Sequence, residues 1–528
     1  MLRFTLALLL LPTTLLLLPT PPAAAQDAGD AARQAEDDLE SLLRHFGSEH
    51  AALKGKIEAA IEKGNAWLIG QQKVEGNWDV YSADARNAIG GTALCALAIK
   101  KSTNGLFDGD EKELKKQIRT LERKERVGSM SYTEQLRLKH LREHGADEIK
   151  RREAMEKAVE KAMVWIRAEY ERINKQMTHK LPDNTQCPPH GTYALGIVLM
   201  LLEAYYTEKQ QTRDGYVMGV NQRRIPKGDL DWIAEMVGYL ERFAVVPSMV
   251  KPPPDPADPD KPDPKESVTF VGKAWRYPYG MTDSNVDHSA TQYAILGLKA
   301  AARMTVHVKD ATLWLNVARY LVSVQAPDGP AVPRKPPAVN PGNGEYFFPE
   351  RYTREQPVDR ARGWGYLPIS GGENPAPYTG AMTCAALAGL ALARSELLAV
   401  RALDREPELA AKIERSMADG MAWLGTKFTV TTNPRDPANK VVSWHYYYLY
   451  GLERAGVLCR TEFFGDKPWY PTGAAYLCEK QRDDGRWGGD TVDAGAFTDT
   501  CFALLFLKRA TTPVNAPPII KPETTGGE

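Results

Sequence analysis

The sequence contains one short phrase twice, once near each end of the chain. Gly70–Val80 reads GQQKVEGNWDV and Glu479–Gly489 reads EKQRDDGRWGG. Each stretch has a Gln, a Gly four positions later and a Trp two positions beyond it, at Gln72, Gly76 and Trp78 and again at Gln481, Gly485 and Trp487. Recurrence of a phrase along a long chain is typical of repeat architectures, so further copies of the same unit are expected.

Each phrase follows a segment with apolar residues at helical spacing. Ile57–Gln72 has this spacing, and its Trp67 lies five residues before the Gln. A third copy has the Gln at Gln325, but an insertion delays its Trp to Trp364. The same amphipathic helix is predicted around Trp165-Ile166, Tyr239-Leu240, Tyr320-Leu321, Trp423-Leu424 and Tyr476-Leu477. The chain therefore contains six predicted helices of this outer type.

A second, more apolar segment follows each outer helix. These segments begin at Thr92, Thr192, Thr291, Thr383, His445 and Thr500. They are apolar around most of the helical circumference, which predicts helices buried on nearly all sides. A Thr just before an apolar run is also a suitable N-terminal residue, because its hydroxyl can accept a hydrogen bond from a free backbone N–H.

Six alternating pairs of half-exposed and buried helices predict an all-α protein, an (α/α)6 toroid with an inner and an outer ring. The alternative is an open solenoid, whose terminal repeats should be atypical and polar. In this chain the first and last units are the best copies of the phrase. The pattern therefore favours a ring that closes on itself.

The Gln-x-x-x-Gly-x-Trp phrase resembles the QW motif of squalene and oxidosqualene cyclases. The paired helices, over roughly residues 55–510, resemble the wider superfamily of terpenoid-cyclase and protein-prenyltransferase toroids. The resemblance implies that the Gln and Trp side chains of the phrase are structural and tie the end of an outer helix to its neighbour. They are therefore not expected to be catalytic.

The N-terminal stretch MLRFTLALLLLPTTLLLLPTPPAAAQ predicts a cleaved signal peptide over residues 1–25, with a membrane anchor as the alternative. A secreted or periplasmic protein is the expectation. Residues 26–54 are predicted as a helical lead-in.

Within the predicted toroid, residues 103–155 predict a charged helical hairpin turning near Gly128–Ser131, and residues 247–270 and 327–362 predict Pro-rich loops. Residues 511–528 are predicted to form a disordered tail.

Charge and cysteine content narrow the class of protein. Lys plus Arg and Asp plus Glu number 67 each, so the chain has no net positive charge that would attract nucleic acid. Six cysteines in 528 residues are too few for a disulfide framework. Cys459 and Cys478 flank a short connection, which leaves one bridge or two free thiols as alternatives.

Candidate site residues lie just before or at the start of the buried helices, because these ends meet at one mouth of a closed ring. Helix N-termini there also present positive dipole ends. The catalytic candidates are Asp283, Asp287, His288, His445 and Asp499. The candidates for lining a ligand cavity are Trp444, Tyr448, Gln292, Tyr277 and Trp364.

The family chemistry implied by the resemblance is only partly matched. The Asp-x-Asp-Asp acid of squalene-cyclase-like enzymes is absent from the sequence. Protein prenyltransferases hold zinc with an Asp-x-Cys pair and a His, and Asp499, Cys501 and His445 supply these residue types in the reverse chain order. The expectation is a protein without a cofactor, with zinc at these three residues as the alternative.

Two function hypotheses follow. The first is an exported binding or scaffold protein that takes an elongated apolar or glycan ligand in its central cavity. The second is a divergent enzyme, either a terpenoid-type cyclase or transferase or a secreted lyase or hydrolase, that uses the Asp and His residues at the mouth. Protein partners are left open, because fold alone does not decide function.

Overall fold

The computed structural model describes the chain from residue 47 to 511 with internal gaps. The described ranges are 47–80, 85–104, 106–176, 190–212, 215–217, 219–222, 225–250, 267–269, 271–276, 286–339, 346–351, 354–368, 377–436, 444–489 and 495–511. The predicted signal peptide, residues 26–46 of the predicted lead-in and the tail beyond Thr511 lie outside these ranges.

The described residues are mostly helical, as the sequence predicted, and the protein is all-α. The helices are α1 Gly47–Gly70, α2 Ala85–Ser102, α3 Glu111–Arg126, α4 Tyr132–Gln176, α5 Thr192–Tyr206, α6 Lys227–Arg242, α7 His288–Arg303, α8 Leu313–Ser323, α9 Gly380–Ala399, α10 Pro407–Thr426, α11 His445–Leu458, α12 Trp469–Lys480 and α13 Ala496–Leu507. A short 3-10 helix spans Ala402–Arg405.

Six helices are almost entirely buried and form the main hydrophobic core: α2, α5, α7, α9, α11 and α13. Each packs against the next along the chain, and α13 packs against both α11 and α2. The half-exposed helices α1, α4, α6, α8, α10 and α12 alternate with them, and α12 packs against α1. The helix contacts therefore lead from the last pair back to the first pair.

The repeated phrase forms the same hydrogen bonds at both ends of the chain. The Gln72 amide donates to Gly76 O and to Ala158 O in α4, each at 2.8 Å. The Gln481 amide likewise donates to Gly485 O and to Ala60 O in α1, again at 2.8 Å. Each Gln thus joins its own loop to the next half-exposed helix, and for Gln481 that helix is the first of the chain.

The Trp of the phrase closes the loop onto the helix before it. Trp78 Nε1 donates to Leu68 O and Trp487 Nε1 to Leu477 O, both at 2.8 Å. Trp364 makes the equivalent bond to Leu321 O at 2.8 Å. Trp275 Nε1 likewise donates to Leu240 O at 2.6 Å. Trp275 therefore belongs to a fourth copy of the loop, which could not be recognised from the sequence.

The glycine of the phrase has a backbone conformation that other residues rarely adopt. Gly76 has φ of 105° and Gly485 has φ of 95°. A Cβ at Gly485 would also lie 2.5 Å from Lys63 O of α1. Only glycine therefore permits both the left-handed turn and the close approach to the neighbouring helix.

The predicted capping role of the Thr residues is wrong for four of the buried helices, and the hydroxyl of the fifth, Thr192 in α5, donates to Arg276 O at 2.6 Å. Except for α5 and α11, the buried helices begin before the residue predicted from the sequence. The Thr hydroxyls accept instead from the backbone N–H of the preceding Trp: Thr291 from Trp275 at 3.0 Å and Thr500 from Trp487 at 3.0 Å. Thr92 and Thr383 accept from Trp78 and Trp364 in the same way.

The charged insertion forms a helical hairpin of α3 and the N-terminal part of α4, with Gly128 in the turn. A separate small core of Phe107, Leu114, Leu121, Leu138, Leu141 and Ile149 holds it together. The second arm of the hairpin continues without interruption into the half-exposed part of α4.

Short strands occur in the connections. They are β1 Thr207–Thr212, β2 Gly215–Val217, β3 Gly219–Gln222, β4 Ser248–Val250, β5 Ser267–Thr269, β6 Ala331–Pro333, β7 Ala338–Val339, β8 Tyr346–Phe347, β9 Val358–Arg360, β10 Tyr378–Thr379, β11 Arg435–Asp436, β12 Phe463–Phe464 and β13 Lys467–Pro468. Strand β1 pairs antiparallel with β2 and β3; the other pairs are β4–β5, β6–β9, β7–β8, β10–β11 and β12–β13, all antiparallel.

One helix within the described ranges, α9, is long and apolar enough to cross a membrane, and 78% of its apolar window is buried inside the protein. The described cysteines are all free thiols, including Cys459 and Cys478. Cys459 and Cys478 are therefore two free thiols and not a disulfide bridge.

Candidate functional site

A cavity of about 450 Å³ lies where the N-terminal turns of the six buried helices meet. Its volume falls in the range of about 300–1,000 Å³ typical of small-molecule sites. Its lining is Gly90, Gly91, Leu94, Tyr193, Ala194, Ile197, Ser289, Tyr293, Tyr366, Thr379, Ala381, Met382, Asn433, Arg435, Trp444, Tyr447, Thr498 and Phe502. Every buried helix therefore contributes to one shared cavity.

Aromatic rings form a continuous band along the cavity wall. The Tyr293 ring lies 5.3 Å from Tyr193 and 6.3 Å from Tyr447 between centroids. Tyr447 in turn contacts Phe502 at 5.6 Å and Trp444 at 6.4 Å. Such a band offers large apolar area with few polar atoms.

The Tyr447 hydroxyl lies at the centre of a small hydrogen-bond network at this wall. It lies 2.5 Å from Ser289 Oγ and accepts a hydrogen bond from the Gln292 amide. Burial raises the pKa of Tyr447 well above its usual value, so the hydroxyl stays protonated. Gln292 was predicted as a lining residue, but it lies behind the lining and holds the Tyr447 hydroxyl in place by its hydrogen bond.

Asp287 caps α7 and lies behind two lining tyrosines. Its carboxylate accepts from Ala290 N at 2.6 Å, and the Tyr366 and Tyr193 hydroxyls also hydrogen-bond to it. Burial raises its pKa to about 7, although these hydrogen bonds lower it. Asp287 is therefore close to the cavity and connected to it through tyrosine hydroxyls.

His288 follows Asp287 in sequence but does not pair with it. Its Nδ1 lies 2.5 Å from Gly365 O, and its Nε2 has no hydrogen-bond partner among the described residues. Burial lowers the pKa of His288 to about 4, so the ring is neutral near pH 7. The structure thus does not form the Asp–His pair that adjacency in the sequence suggested.

Replacement of Asp287 by asparagine should change how stability depends on pH. The folded pKa of about 7 exceeds that of an unfolded Asp, so Asp287 contributes stability below about pH 4 that is lost as the pH rises to 7. The asparagine side chain keeps the cap acceptor and does not ionise. The D287N variant should therefore gain stability relative to wild type by up to about 1.4 kcal/mol per pH unit between pH 4 and 7.

Urea unfolding of both proteins at pH 4.5, 6 and 8 measures this difference. Asp310 provides the matched control, because hydrogen bonds from Thr312 and Lys273 lower its pKa to about 2. D310N should lose stability relative to wild type once the pH exceeds that value. A difference between D287N and wild type that is independent of pH would contradict the assignment.

The three residues proposed to hold zinc have separate surroundings. His445 Nε2 lies 2.8 Å from Val430 O, and Cys501 Sγ lies 3.6 Å from Cys95 Sγ. The Asp499 carboxylate faces the backbone at Gly488, where a Cβ would lie 2.0 Å from Asp499 Oδ2. Within the described ranges, no three His, Cys, Asp or Glu side chains lie close enough to hold a metal ion.

Of the predicted lining residues that the structure describes, Trp444 lines the cavity and Tyr448, Gln292 and Trp364 do not. Trp444 lines the cavity, is 47% exposed and adopts φ of 64° at the start of α11. Tyr448 is fully buried and donates to Thr429 O at 3.0 Å, so it faces away from the cavity. Trp364 is also fully buried and closes a repeat loop. Tyr277 and the catalytic candidate Asp283 lie outside the described residues.

Most of the cavity wall was missed by reasoning from the sequence. Tyr193, Tyr293, Phe502 and Thr498 lie inside apolar helical runs, whose pattern predicts core packing alone. The three consecutive tyrosines at 446–448 were the available signal, since consecutive helical residues face different directions, and the one that lines the cavity is Tyr447.

The opposite ends of the buried helices are closed by charged pairs. Glu203 Oε1 lies 3.0 Å from Arg303 Nη1, and Lys299 pairs with Glu396. Burial lowers the pKa of the neighbouring Lys101, which Glu203 partly offsets. A pocket of about 30 Å³ lies at this end, so the larger cavity is the candidate ligand site.

Comparison of the chain with models of known protein families, with curated proteins and with solved structures finds no match.

Proposed function

We propose that the chain is an (α/α)6 toroid of the kind found in terpenoid cyclases and protein prenyltransferases. The support is the cycle of contacts between buried helices and the Gln481 amide, which donates to Ala60 O of α1. That hydrogen bond joins residues 421 positions apart and repeats the bond that Gln72 makes to α4. Export through the predicted signal peptide is part of the same proposal.

The function that the cavity supports best is binding of an elongated, mainly apolar small molecule. The observation that carries this proposal is a single cavity of about 450 Å³ lined by all six buried helices and by a band of aromatic rings. Leu94, Ile197 and Met382 extend the apolar surface beside that band. Burial of apolar ligand surface there supplies roughly 25 cal/mol per Å².

A glycan is the less favoured ligand. Its hydroxyls lose hydrogen bonds to water on entry and need many polar partners in exchange. Among the described residues, no Asp or Glu lines the cavity, and the polar side chains of the lining are limited to hydroxyls, one amide, one guanidinium and one indole. An apolar chain fits this lining better than a sugar does.

Acid–base catalysis is the second candidate function, and Asp287 is the observation that favours it. A carboxyl group with a pKa near 7 suits proton transfer at neutral pH. Tyr193 and Tyr366 connect it to the cavity, so their hydroxyls would contact a substrate while Asp287 positions them. In this form the enzyme proposal uses the same ligand and the same cavity.

Filling the cavity should weaken ligand binding. Thr498 lines the cavity and its hydroxyl has no hydrogen-bond partner among the described residues, so Thr498→Phe places a ring in the open space with little loss elsewhere. We expect at least a roughly tenfold weaker affinity for the neutral fluorophore N-phenyl-1-naphthylamine, about 1.4 kcal/mol. Thr120→Phe, on an exposed face of α3, should bind like wild type.

Fluorescence titration measures both affinities, and native mass spectrometry of the purified protein identifies any retained ligand. Competition by a maltooligosaccharide instead of by apolar chains would favour the glycan. Conversion of an added ligand that is lost in D287N would favour the enzyme. Absence of fluorophore binding by wild type, or equal binding by T498F, would contradict the proposed site.

A further inference from the structure

A fully buried arginine lies beside the aromatic band. Arg454 of α11 is 0% exposed and lies two helical turns beyond Tyr447 on the same helix face. Its guanidinium carbon lies 4.1 Å from the Tyr450 ring centroid and 5.4 Å from that of Tyr293. Arg454 therefore borders Tyr293, which itself lines the cavity.

The guanidinium of Arg454 lacks hydrogen bonds of normal geometry within the described part of the chain. The Tyr293 and Tyr450 hydroxyls interact with the guanidinium and favour its charged form, but none of its three nitrogens has a hydrogen bond of normal distance and angle with the described residues. An arginine stays charged in proteins, and a buried charge without hydrogen bonds is costly. The adjacent carboxylate, Glu453, accepts from Thr511 N at 3.1 Å and from Thr511 Oγ1 at 2.5 Å. The ring faces of two tyrosines offset only part of this cost.

Other polar groups of the cavity can donate hydrogen bonds as well. The Thr498 hydroxyl has no hydrogen-bond partner among the described residues, the Tyr293 hydroxyl interacts with the Arg454 guanidinium, and both residues line the cavity. Arg435 lines the cavity directly and places a cation in its wall. With no Asp or Glu in the described lining, the cavity suits an anionic group.

We propose that the ligand of this cavity is an apolar chain that ends in a carboxylate, and that Arg454 and the Tyr293 hydroxyl bind this carboxylate at the inner end. A guanidinium fork matches the two oxygens of a carboxylate. Because Arg454 is buried behind the Tyr293 ring, this binding requires the ring to turn aside. The apolar chain then extends along Met382 towards Trp444. This inference rests on the proposed ligand-binding function and specifies its ligand.

The test uses 11-(dansylamino)undecanoic acid and its methyl ester at about pH 7.5, titrated into the full-length protein. Wild type should bind the acid at least roughly tenfold more tightly than the ester, a difference typical of a charge-assisted contact. Arg454→Met keeps the length of the side chain and removes its charge, so this variant should lose the preference and bind the ester like wild type. Arg454→Lys should retain part of the preference, since it keeps the charge without the fork.

Two matched variants locate the carboxylate. Arg401→Met removes an exposed arginine and should change nothing. Arg435→Met removes the arginine that lines the cavity itself, and loss of the preference in that variant instead of R454M would overturn the proposal. Equal binding of acid and ester by wild type would overturn it as well, while leaving the apolar site intact. Absence of binding by either compound would instead contradict the proposed function.

Discussion

Replacement of Trp487 by alanine is expected to lower the free energy of unfolding by about 3–5 kcal/mol, as measured by denaturant titration. The indole is fully buried and its Nε1 donates to Leu477 O at 2.8 Å. Its ring also packs on α1, because a Cβ at Gly64 would lie 2.7 Å from Trp487 Cζ3. Alanine removes this packing and leaves a cavity between the last and first helical pairs.

The same variant tests the proposed ring closure by amide hydrogen exchange. If the first and last pairs are in contact, W487A should accelerate exchange in α1 as well as in α12 and α13, and more than in α8. Trp444→Ala is the control, since that Trp is 47% exposed and its loss should cost little stability. Destabilisation of W487A without faster exchange in α1 would indicate an open arrangement.

The helices could be predicted because their information is local. Helical spacing of apolar residues and the Gln-x-x-x-Gly-x-Trp phrase define each unit within a short segment. The structure identifies the acceptor of the Gln amide as a backbone carbonyl of the next half-exposed helix, and it shows that the Thr hydroxyl accepts from the Trp backbone N–H. Neither partner belongs to the helix that carries the side chain, so a capping rule based on neighbouring residues assigned Thr291 and Thr500 the wrong donor.

The site was harder to predict, because residues adjacent in sequence face different directions. Tyr447 and Tyr448 are separated by about 100° around α11, so only one of them faces the cavity. Asp287 and His288 likewise turn to different partners, tyrosine hydroxyls for the first and the Gly365 carbonyl for the second. Periodicity identifies such a helix as buried without indicating which face meets the cavity.

Arg454 was missed for a different reason. A charged residue in an apolar run is normally expected at the surface or in an ion pair, because arginine is rarely fully buried. Its burial follows from the convergence of several helices, which a single segment does not encode. Its position next to the cavity wall is apparent only in the structure, where the guanidinium lies beside the ring of Tyr293 from α7.

Glu203→Gln is expected to destabilise the protein by about 3–5 kcal/mol, because it leaves the Arg303 charge without its carboxylate. The two side chains are each only 8% exposed, and their oxygen and nitrogen lie 3.0 Å apart. They join α5 to α7 at the closed end of the buried helices. Thermal and urea unfolding at neutral pH measure the loss.

Two controls separate this charge effect from packing. Asp404→Asn breaks the exposed pair with Arg401 and should cost less than about 1 kcal/mol. The double variant E203M/R303M removes both members of the pair and keeps apolar volume, so it should recover part of the stability lost in E203Q, while the buried Lys101 still lacks the Glu203 carboxylate. If the double variant is as unstable as E203Q, the pair acts through specific hydrogen bonds, and the closed end depends on them more than on charge neutrality. If E203Q is as stable as wild type, the closure of this end does not depend on the pair at all.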